Sequence, residues 1–202
     1  MPKKEKNLLE LSWKVLLMVP VIAVVGTSGS GKTTTIEYLV SRLSKDGFKI
    51  GSVKHIHHAD FSMDTKGTDT WRHTHAGTTL TAAIAPTEIA MIKKTDTSKY
   101  GLDEVIGLFD KEKLDVIFVE GLHGLVAKRE DLAKIIVAKN QEDLKRKLKG
   151  TTPPILAVTG RVAREKTDLV NPKIPVIDLE NEGDLLVKLV KNYISCKPNR
   201  AQ

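Results

Sequence analysis

Cysteine and aromatic side chains are scarce in this chain of 202 residues, and their scarcity excludes several classes of protein. Cys196 is the only cysteine, so neither an internal disulfide nor a cysteine-based metal cluster can form, which suits a reducing cytoplasm. Aromatic residues make up 4% of the chain and are not interleaved with basic residues as in proteins that stack nucleic-acid bases. We therefore expect a cytoplasmic protein with no nucleic-acid partner.

Long apolar runs are also missing: no segment is long and apolar enough to span a bilayer, so we expect no membrane association. The lysine-rich start of the chain precedes an apolar stretch over residues 13–25, a pattern typical of a secretory signal peptide. The second half of this stretch, residues 21–25, is however the strand expected before the glycine-rich segment at 26–33. Cleavage of the stretch as a signal peptide would remove that strand, so we do not expect it to be one. The expected organisation is an N-terminal extension, a single nucleotide-binding domain and a C-terminal tail, at residues 1–19, 20–196 and 197–202.

Gly26 to Thr33 have the sequence Gly-Thr-Ser-Gly-Ser-Gly-Lys-Thr, which matches the phosphate-binding pattern G-x-x-x-x-G-K-[ST] completely. The pattern requires a strand before it and a helix after it. A short β-branched run at 21–25 and apolar residues at helical spacing after Lys32 indicate both. Glycines let successive backbone N–H groups point at phosphate oxygens, and the positive end of the helix dipole points to the same place. We expect Lys32 to contact the β- and γ-phosphates and Thr33 to bind Mg²⁺.

Apolar strands alternate with amphipathic helices along the chain, which predicts an α/β protein. The predicted architecture is a P-loop NTPase-like three-layer fold, in which helices cover both faces of a mainly parallel sheet. The predicted strands lie at 21–25, 48–54, 115–119, 133–138, 155–158 and 176–178, with a hairpin at 79–85 and 89–93. The predicted helices lie at 32–46, 71–76, 102–109, 142–149 and 182–195, and residues 55–70 are predicted to form a long loop.

Glu120 ends an apolar strand, at the edge of the sheet where ligands bind in such folds. A carboxylate at this position in a phosphate-loop protein is a suitable second anchor for Mg²⁺. Asp115 lies at the opposite end of the same strand and is excluded from that role. Lys32 and Glu120 are therefore the expected catalytic residues.

His55, His57 and His58 lie within four residues of one another and follow Lys54 at the end of the second predicted strand. The loop continues with further charged residues, among them Asp64, Lys66 and Asp69. Imidazoles bind transition metals, but they also form hydrogen bonds with anions and heterocycles. The net charge of +7 favours phosphorylated ligands. The loop is therefore a candidate site for a polar ligand, with a metal site as the alternative.

Together these motifs resemble the MobB family, the molybdopterin-guanine dinucleotide biosynthesis protein B. The resemblance covers roughly residues 20–195 and rests on segments 26–35, 53–58 and 119–121, with Asp64, Lys66-Gly67, Asp69 and Ala76-Gly77. The Lys-His-x-His-His loop is its most specific part. The resemblance implies a GTP-binding adaptor with weak GTPase activity, which assists the guanylyltransferase that attaches GMP to molybdopterin and which forms homodimers.

The resemblance also implies ligands and their residues. GTP and Mg²⁺ would be the cofactors, and molybdopterin and the molybdenum cofactor guanylyltransferase the partners. The implied nucleotide-binding residues are Ser28, Gly29, Ser30, Gly31, Lys32, Thr33 and Thr34, and the implied metal ligands are Thr33 and Glu120. The implied substrate-binding residues are Lys54, His55, His57, His58, Asp64, Lys66 and Asp69.

Some positions depart from the family pattern, namely residues 122–129 and the two threonines Thr68 and Thr70 that flank Asp69. The Asn-Lys-x-Asp loop of dedicated guanine sites is absent, since residues 140–143 lack the lysine and resemble a helix cap. The preference for GTP over ATP therefore rests on the resemblance. Two alternatives stay open: a GTP-dependent nickel or zinc metallochaperone, and a P-loop small-molecule kinase or ligase. Against a kinase, no arginine-rich lid is evident beyond the candidate pair Arg161 and Arg164.

Overall fold

The computed structural model describes residues 19–58, 60–165 and 173–196, which form two compact units. One, the sheet unit, contains the residues up to His55 and those from Val105 onward, and the other, the hairpin unit, contains Ile56–Glu104. The strands are β1 Val21–Gly26, β2 Ile50–Lys54, β3 Leu80–Ile84, β4 Ile89–Lys93, β5 Val116–Glu120, β6 Ala133–Val137 and β7 Ile155–Thr159. The helices are α1 Lys32–Lys45, α2 Asp69–His75, α3 Leu102–Gly107, α4 His123–Val126, α5 Gln141–Lys149 and α6 Leu179–Cys196, and short 3-10 helices span Thr97–Lys99 and Arg161–Arg164.

Five of the described strands form one parallel sheet, in the order β2-β5-β1-β6-β7. Helices α1 and α6 share one face of this sheet, where Leu39, Leu43 and Leu186 pack into the same buried cluster as Ile22 and the other side chains of that face. Helices α4 and α5 contact β1 and β6 and bury Val126 and Leu144 outside that cluster. The strands are apolar along their whole length because parallel sheets are covered on both faces. The predicted α/β architecture is thus confirmed.

Helix α1 is flanked by two glycines whose backbone lies in the left-handed region. Gly31 precedes its first residue with φ 104°, and Gly47 follows its last turn with φ 85°. The amide of Gly47 donates to the carbonyl of Ser44 at 3.0 Å, and that of Phe48 donates to Leu43 at 3.1 Å, which satisfies carbonyls at the end of the helix. The helix predicted at 32–46 ends at Lys45, with Asp46 as its cap and Gly47 as the terminating glycine that the sequence indicated.

The hairpin unit contains β3 and β4, which pair antiparallel with Ala82 opposite Met91 and Ile84 opposite Ile89. Successive strand residues point to opposite faces, so the apolar residues of one face are Leu80, Ala82, Ile84, Ile89 and Met91. We call this set the apolar hairpin face. Its four large side chains are 49–81% exposed. The predicted hairpin is confirmed, but an apolar face of this size that no described element covers is unusual for a two-stranded sheet.

Several predicted elements differ from the structure: β2 begins at Ile50 rather than 48, and helix α2 spans Asp69–His75 rather than 71–76. The strand predicted at 176–178 is wrong: Val176 forms only an isolated bridge with Val158, because Pro175 offers a carbonyl but has no N–H to extend the ladder. Helix α3 ends at Gly107, before the predicted end at 109. Helix α6 starts at Leu179 rather than 182, with a non-helical residue at Glu182 (φ −128°).

The N-terminal extension and the C-terminal tail lie outside the described residues, apart from the last residue of the extension. The division of the chain into an extension, one domain and a tail stays a prediction. Of the helices within the described part of the chain, none has the length and apolar character needed to cross a membrane.

Candidate phosphate-binding site

The loop between β1 and α1 has a backbone that only glycine permits at two points. A Cβ on Gly26 would lie 2.2 Å from the carbonyl oxygen of Val137 and 2.5 Å from the hydroxyl of Ser30. Gly31 has φ 104°, in the left-handed region, and turns the chain into the helix. The loop therefore packs tightly against β6 and leaves its N–H groups at the start of α1, where the helix dipole favours anions.

Lys32 extends back over the loop, and its ammonium donates to the carbonyl of Thr27 at 2.8 Å. Burial lowers the pKa of Lys32, the carboxylate of Glu120 opposes this effect, and the charges of three other lysines add to the lowering. These lysines are Lys54, Lys147 and Lys139. The ammonium thus lies in a region with an excess of positive charge, which an anionic ligand would relieve.

Glu120 is the point at which three strands and the phosphate-loop helix meet. In the sheet it lies opposite Val24 of β1 and opposite Lys54 of β2. The hydroxyl of Thr33 donates to the Glu120 carboxylate, with 3.1 Å to each oxygen, and the Lys54 ammonium is 2.8 Å from Oε1. The Lys54 ammonium also lies 3.4 Å from the Thr33 hydroxyl. Sequence reasoning expected these side chains at one edge of the sheet, and the structure brings them into contact.

These residues line an open pocket of about 440 Å³. Its lining residues are Ser28, Gly29, Gly31, Lys32, Thr33, Thr34, Lys54 and Glu120. A hydroxyl and a carboxylate 3.1 Å apart are oxygen donors of the kind that Mg²⁺ prefers, so Thr33 and Glu120 fit a magnesium ion. Ser30 is the one predicted nucleotide-binding residue outside this lining: its side chain is 3% exposed and its hydroxyl has no hydrogen-bond partner among the described residues.

Sequence reasoning missed Asp143, which ties the phosphate loop to the loop after β6. Its Oδ2 accepts from the hydroxyl of Thr27 at 2.9 Å and from the amide of Lys139 at 3.2 Å, while Oδ1 accepts from Arg146 at 3.0 Å. Burial acts to raise the pKa of Asp143, but these hydrogen bonds outweigh it and the pKa is lowered. The side chain of Asn140 accepts from the amide of Asp143, so the predicted helix cap is confirmed.

The predicted substrate-binding residues lie in the segment from Lys54 to Asp69, and of these Lys54 and His55 belong to the sheet unit. The amide of His55 donates to the carbonyl of Glu120 at 3.1 Å, which continues the pairing of β2 with β5. The other predicted substrate-binding residues belong to the hairpin unit: His57, His58, Asp64, Lys66 and Asp69. Among the residues described by the structure, no group of three or more His, Cys, Asp or Glu side chains is arranged to hold a metal ion.

Asp64 organises its own part of the hairpin unit. Its Oδ1 accepts from the hydroxyls of Thr68 at 2.8 Å and Thr70 at 3.0 Å, and from the amide of Thr65 at 2.9 Å. Burial raises the pKa of Asp64, but these hydrogen bonds dominate and lower it. The two threonines that depart from the family pattern thus share one acceptor, and Thr68 also caps α2.

Comparison with known proteins identifies a family for this chain. The family described as molybdopterin guanine dinucleotide synthesis protein B matches residues 21–161. The chain belongs to this family. It is 30% identical over 166 residues to the molybdopterin-guanine dinucleotide biosynthesis adapter protein of Escherichia coli (81% of this chain, 87% of the relative). It is 32% identical over 133 residues to the protein of the same name from Haemophilus influenzae (64% and 70%).

Solved MobB structures share the fold. The crystal structure of Bacillus subtilis MobB superposes with a TM-score of 0.68 at 24% identity, covering 86% of this chain and 97% of that one. A MobB homologue from Bacillus stearothermophilus gives a TM-score of 0.64 at 22% identity, covering 88% and 99%. The resemblance to the MobB family seen in the sequence is therefore confirmed, and with it the P-loop NTPase-like fold.

Residues 122–129, which depart from the expected MobB pattern, include the short helix α4. Leu122 adopts φ 51° and begins the short helix α4, in which Val126 is fully buried. His123 follows, with its Nε2 3.2 Å from the hydroxyl of Thr151, and burial, aided by the charge of Lys147, lowers its pKa. This segment therefore contributes to the core beside the site.

Proposed function

We propose that this chain is an adapter protein of molybdopterin guanine dinucleotide biosynthesis that binds GTP and Mg²⁺ at its phosphate loop. The observation that carries the proposal is the contact of Thr33 with Glu120 at 3.1 Å beside Lys32, within a phosphate-loop pocket. Family membership supplies the pathway, and the pocket supplies the physical means of binding a polyphosphate. Curated relatives of the chain are named as adapter proteins of that pathway.

Each residue of the pocket has a role in this proposal. Backbone N–H groups of the loop bind phosphate oxygens, Lys32 exchanges the Thr27 carbonyl for the β- and γ-phosphates, and Thr33 and Glu120 hold Mg²⁺. Bound Mg²⁺ would supply charge neutralisation between the terminal phosphates. Lys54, now paired with Glu120, would balance the remaining negative charge.

Slow hydrolysis follows from the same residues. Glu120 is the only carboxylate among the residues that line the described pocket. When it holds Mg²⁺, it is a poor base for an attacking water. We infer that the chain is a weak GTPase that acts mainly by presenting GTP and molybdopterin to the guanylyltransferase, with the loop from Lys54 through the histidines contacting the pterin or its phosphate.

The apolar hairpin face supports a homodimer. Its large side chains are 49–81% exposed, and an isolated two-stranded hairpin is marginally stable in water. A second copy of the chain offers the same apolar face, so an isologous contact would cover both faces at once. We propose that the hairpin unit forms the dimer interface in the cytoplasm.

Titration of the purified protein with GTP in the presence of Mg²⁺ tests the central claim. Lys32→Ala should weaken GTP binding by about ten- to a hundredfold, since it removes a charge-assisted contact. Lys45→Ala, an exposed lysine in the last turn of the same helix, should bind as the wild type does. Equal affinity of the two variants would overturn the proposed site.

A further inference from the structure

The loop after β6 lies against the phosphate loop, and no sequence motif indicates a role for it. Strands β1 and β6 pair so that Gly26 lies opposite Val137, and the loops that follow the two strands leave the sheet side by side. The contact is close, because a Cβ on Gly26 would lie 2.2 Å from the Val137 carbonyl. Glu120 lies on the other side of β1, at the end of β5.

Lys139 is the charged residue of this loop. The position that a Cβ on Gly29 would occupy is 3.8 Å from its Nζ and 3.9 Å from its Cε, so the end of the side chain lies against a glycine that lines the pocket. The ammonium has no hydrogen bond or ion pair with any described residue. A partly exposed lysine that lies against the phosphate loop and has no partner in the described protein can donate to an anionic or polar ligand.

Asp143 holds this lysine in place without neutralising it. The carboxylate accepts from the backbone amide of Lys139 and from the hydroxyl of Thr27, so it joins the two loops, and its second oxygen is occupied by Arg146. At 5% exposure, and with both oxygens bonded, it has no oxygen left for a base. Asp143 therefore links the two loops and does not recognise a guanine base.

The direction of a bound nucleotide follows from the two sides of β1. Thr33 and Glu120 would hold Mg²⁺ on the β5 side of β1, and the terminal phosphates that Mg²⁺ neutralises would lie on that side. The nucleoside end of an extended triphosphate must then leave on the β6 side, where Lys139 lies. We propose that Lys139 is a further nucleotide-binding residue that contacts the nucleoside half of the ligand, and that Asp143 is the positioning residue that holds it there. This inference rests on the proposed function.

The first test compares two ligands and two variants. Lys139→Met removes the charge and keeps a chain of similar length, and Lys145→Met does the same at an exposed position on α5. Each protein is titrated with GTP and with inorganic tripolyphosphate, both with Mg²⁺. We expect Lys139→Met to weaken GTP binding about tenfold while leaving tripolyphosphate affinity unchanged, and Lys145→Met to match the wild type with both.

Each outcome of this test decides a separate point. If the wild type fails to bind either ligand, the proposed function is wrong. If it binds both and the two lysine variants behave alike, Lys139 is not a nucleotide-binding residue. If Lys139→Met loses affinity equally for both ligands, its contact is with the phosphate chain and the nucleoside assignment is overturned.

A double-mutant cycle tests the positioning role of Asp143. Asp143→Asn alone should weaken GTP binding, but in the Lys139→Met background it should cause no further loss, because it acts through the lysine. Thr27→Val and Thr27→Ser provide a second route should the asparagine variant fail to fold: the valine should act like Asp143→Asn, and the serine, which keeps the hydroxyl, should restore binding. Additive losses in the cycle would show that Asp143 acts on the fold and would overturn the positioning role.

Discussion

Glu120 offers the sharpest test of how the pocket holds a metal ion. The substitution Glu120→Gln keeps the size of the side chain and removes its charge. The carboxylate accepts from Thr33 and pairs with Lys54 at 2.8 Å, and its side chain is 13% exposed against 54% for that of Lys54. Because one partner is half exposed, solvent screens the pair, and its loss should reduce the free energy of unfolding by at most about 1 kcal/mol.

The effect on metal binding should be larger. Replacing a charged oxygen ligand, or a group that orients one, lowers metal affinity by about 10- to 100-fold. GTP affinity measured in EDTA should therefore stay near that of the wild type, whereas the gain in affinity on adding Mg²⁺ should shrink by that factor. The slow GTP hydrolysis that we propose for this chain should be lost with it.

Isothermal titration of GTP with and without Mg²⁺ measures both quantities on the same protein. Glu37→Gln, an exposed glutamate on α1, is the matched control and should retain the full metal dependence. A Glu120→Gln protein whose Mg²⁺ dependence equals that of the control would refute the assignment. Glu120 would then be a strand-end residue that only neutralises Lys54.

Three further outcomes are expected. Ile84→Glu places a charge on the apolar hairpin face and should convert a dimer into a monomer in light scattering, whereas Leu108→Glu, an exposed leucine elsewhere, should not. Simultaneous replacement of His55, His57 and His58 by Ala should spare GTP binding but remove molybdopterin binding and stimulation of the guanylyltransferase; retained stimulation would exclude the loop as the substrate site. Lys134→Met should lower the free energy of unfolding by about 2–4 kcal/mol in chemical denaturation, because it leaves buried carbonyls without a donor.

The sheet and the central contacts of the site were predictable because they follow from local patterns and one topological rule. A complete phosphate-loop pattern fixes β1 and α1, and apolar runs mark the other parallel strands. Residues at the carboxyl ends of parallel strands meet at one edge, which brought Lys54, Glu120 and Thr33 together in prediction and in structure. The prediction of a strand at 176–178 was wrong because a short apolar run does not show whether the flanking residues can continue the hydrogen-bonded ladder with the neighbouring strand.

Asp143 was not predictable, because its role depends on a hydrogen bond to Thr27 across 116 positions of sequence. Locally the residue looks like the third position after a helix cap, and that interpretation is also correct. Sequence patterns indicate which residues cap a helix. They do not show that the same carboxylate is buried against another loop, since that depends on the order of strands β1 and β6 in the sheet.

Two lysines at opposite ends of β6 show why charge alone does not identify a ligand-binding residue. Lys134, near the start of the strand, is fully buried, and its ammonium donates to the carbonyls of Arg129, Thr152 and Pro153. Lys139 follows the end of the strand, and its ammonium has no partner among the described residues. Burial with a full set of acceptors makes Lys134 part of the fold. The same side chain without such acceptors lies against the phosphate loop in Lys139, where we propose that it binds a ligand. Burial, acceptors and the end of the strand at which each lysine lies together separate the two roles.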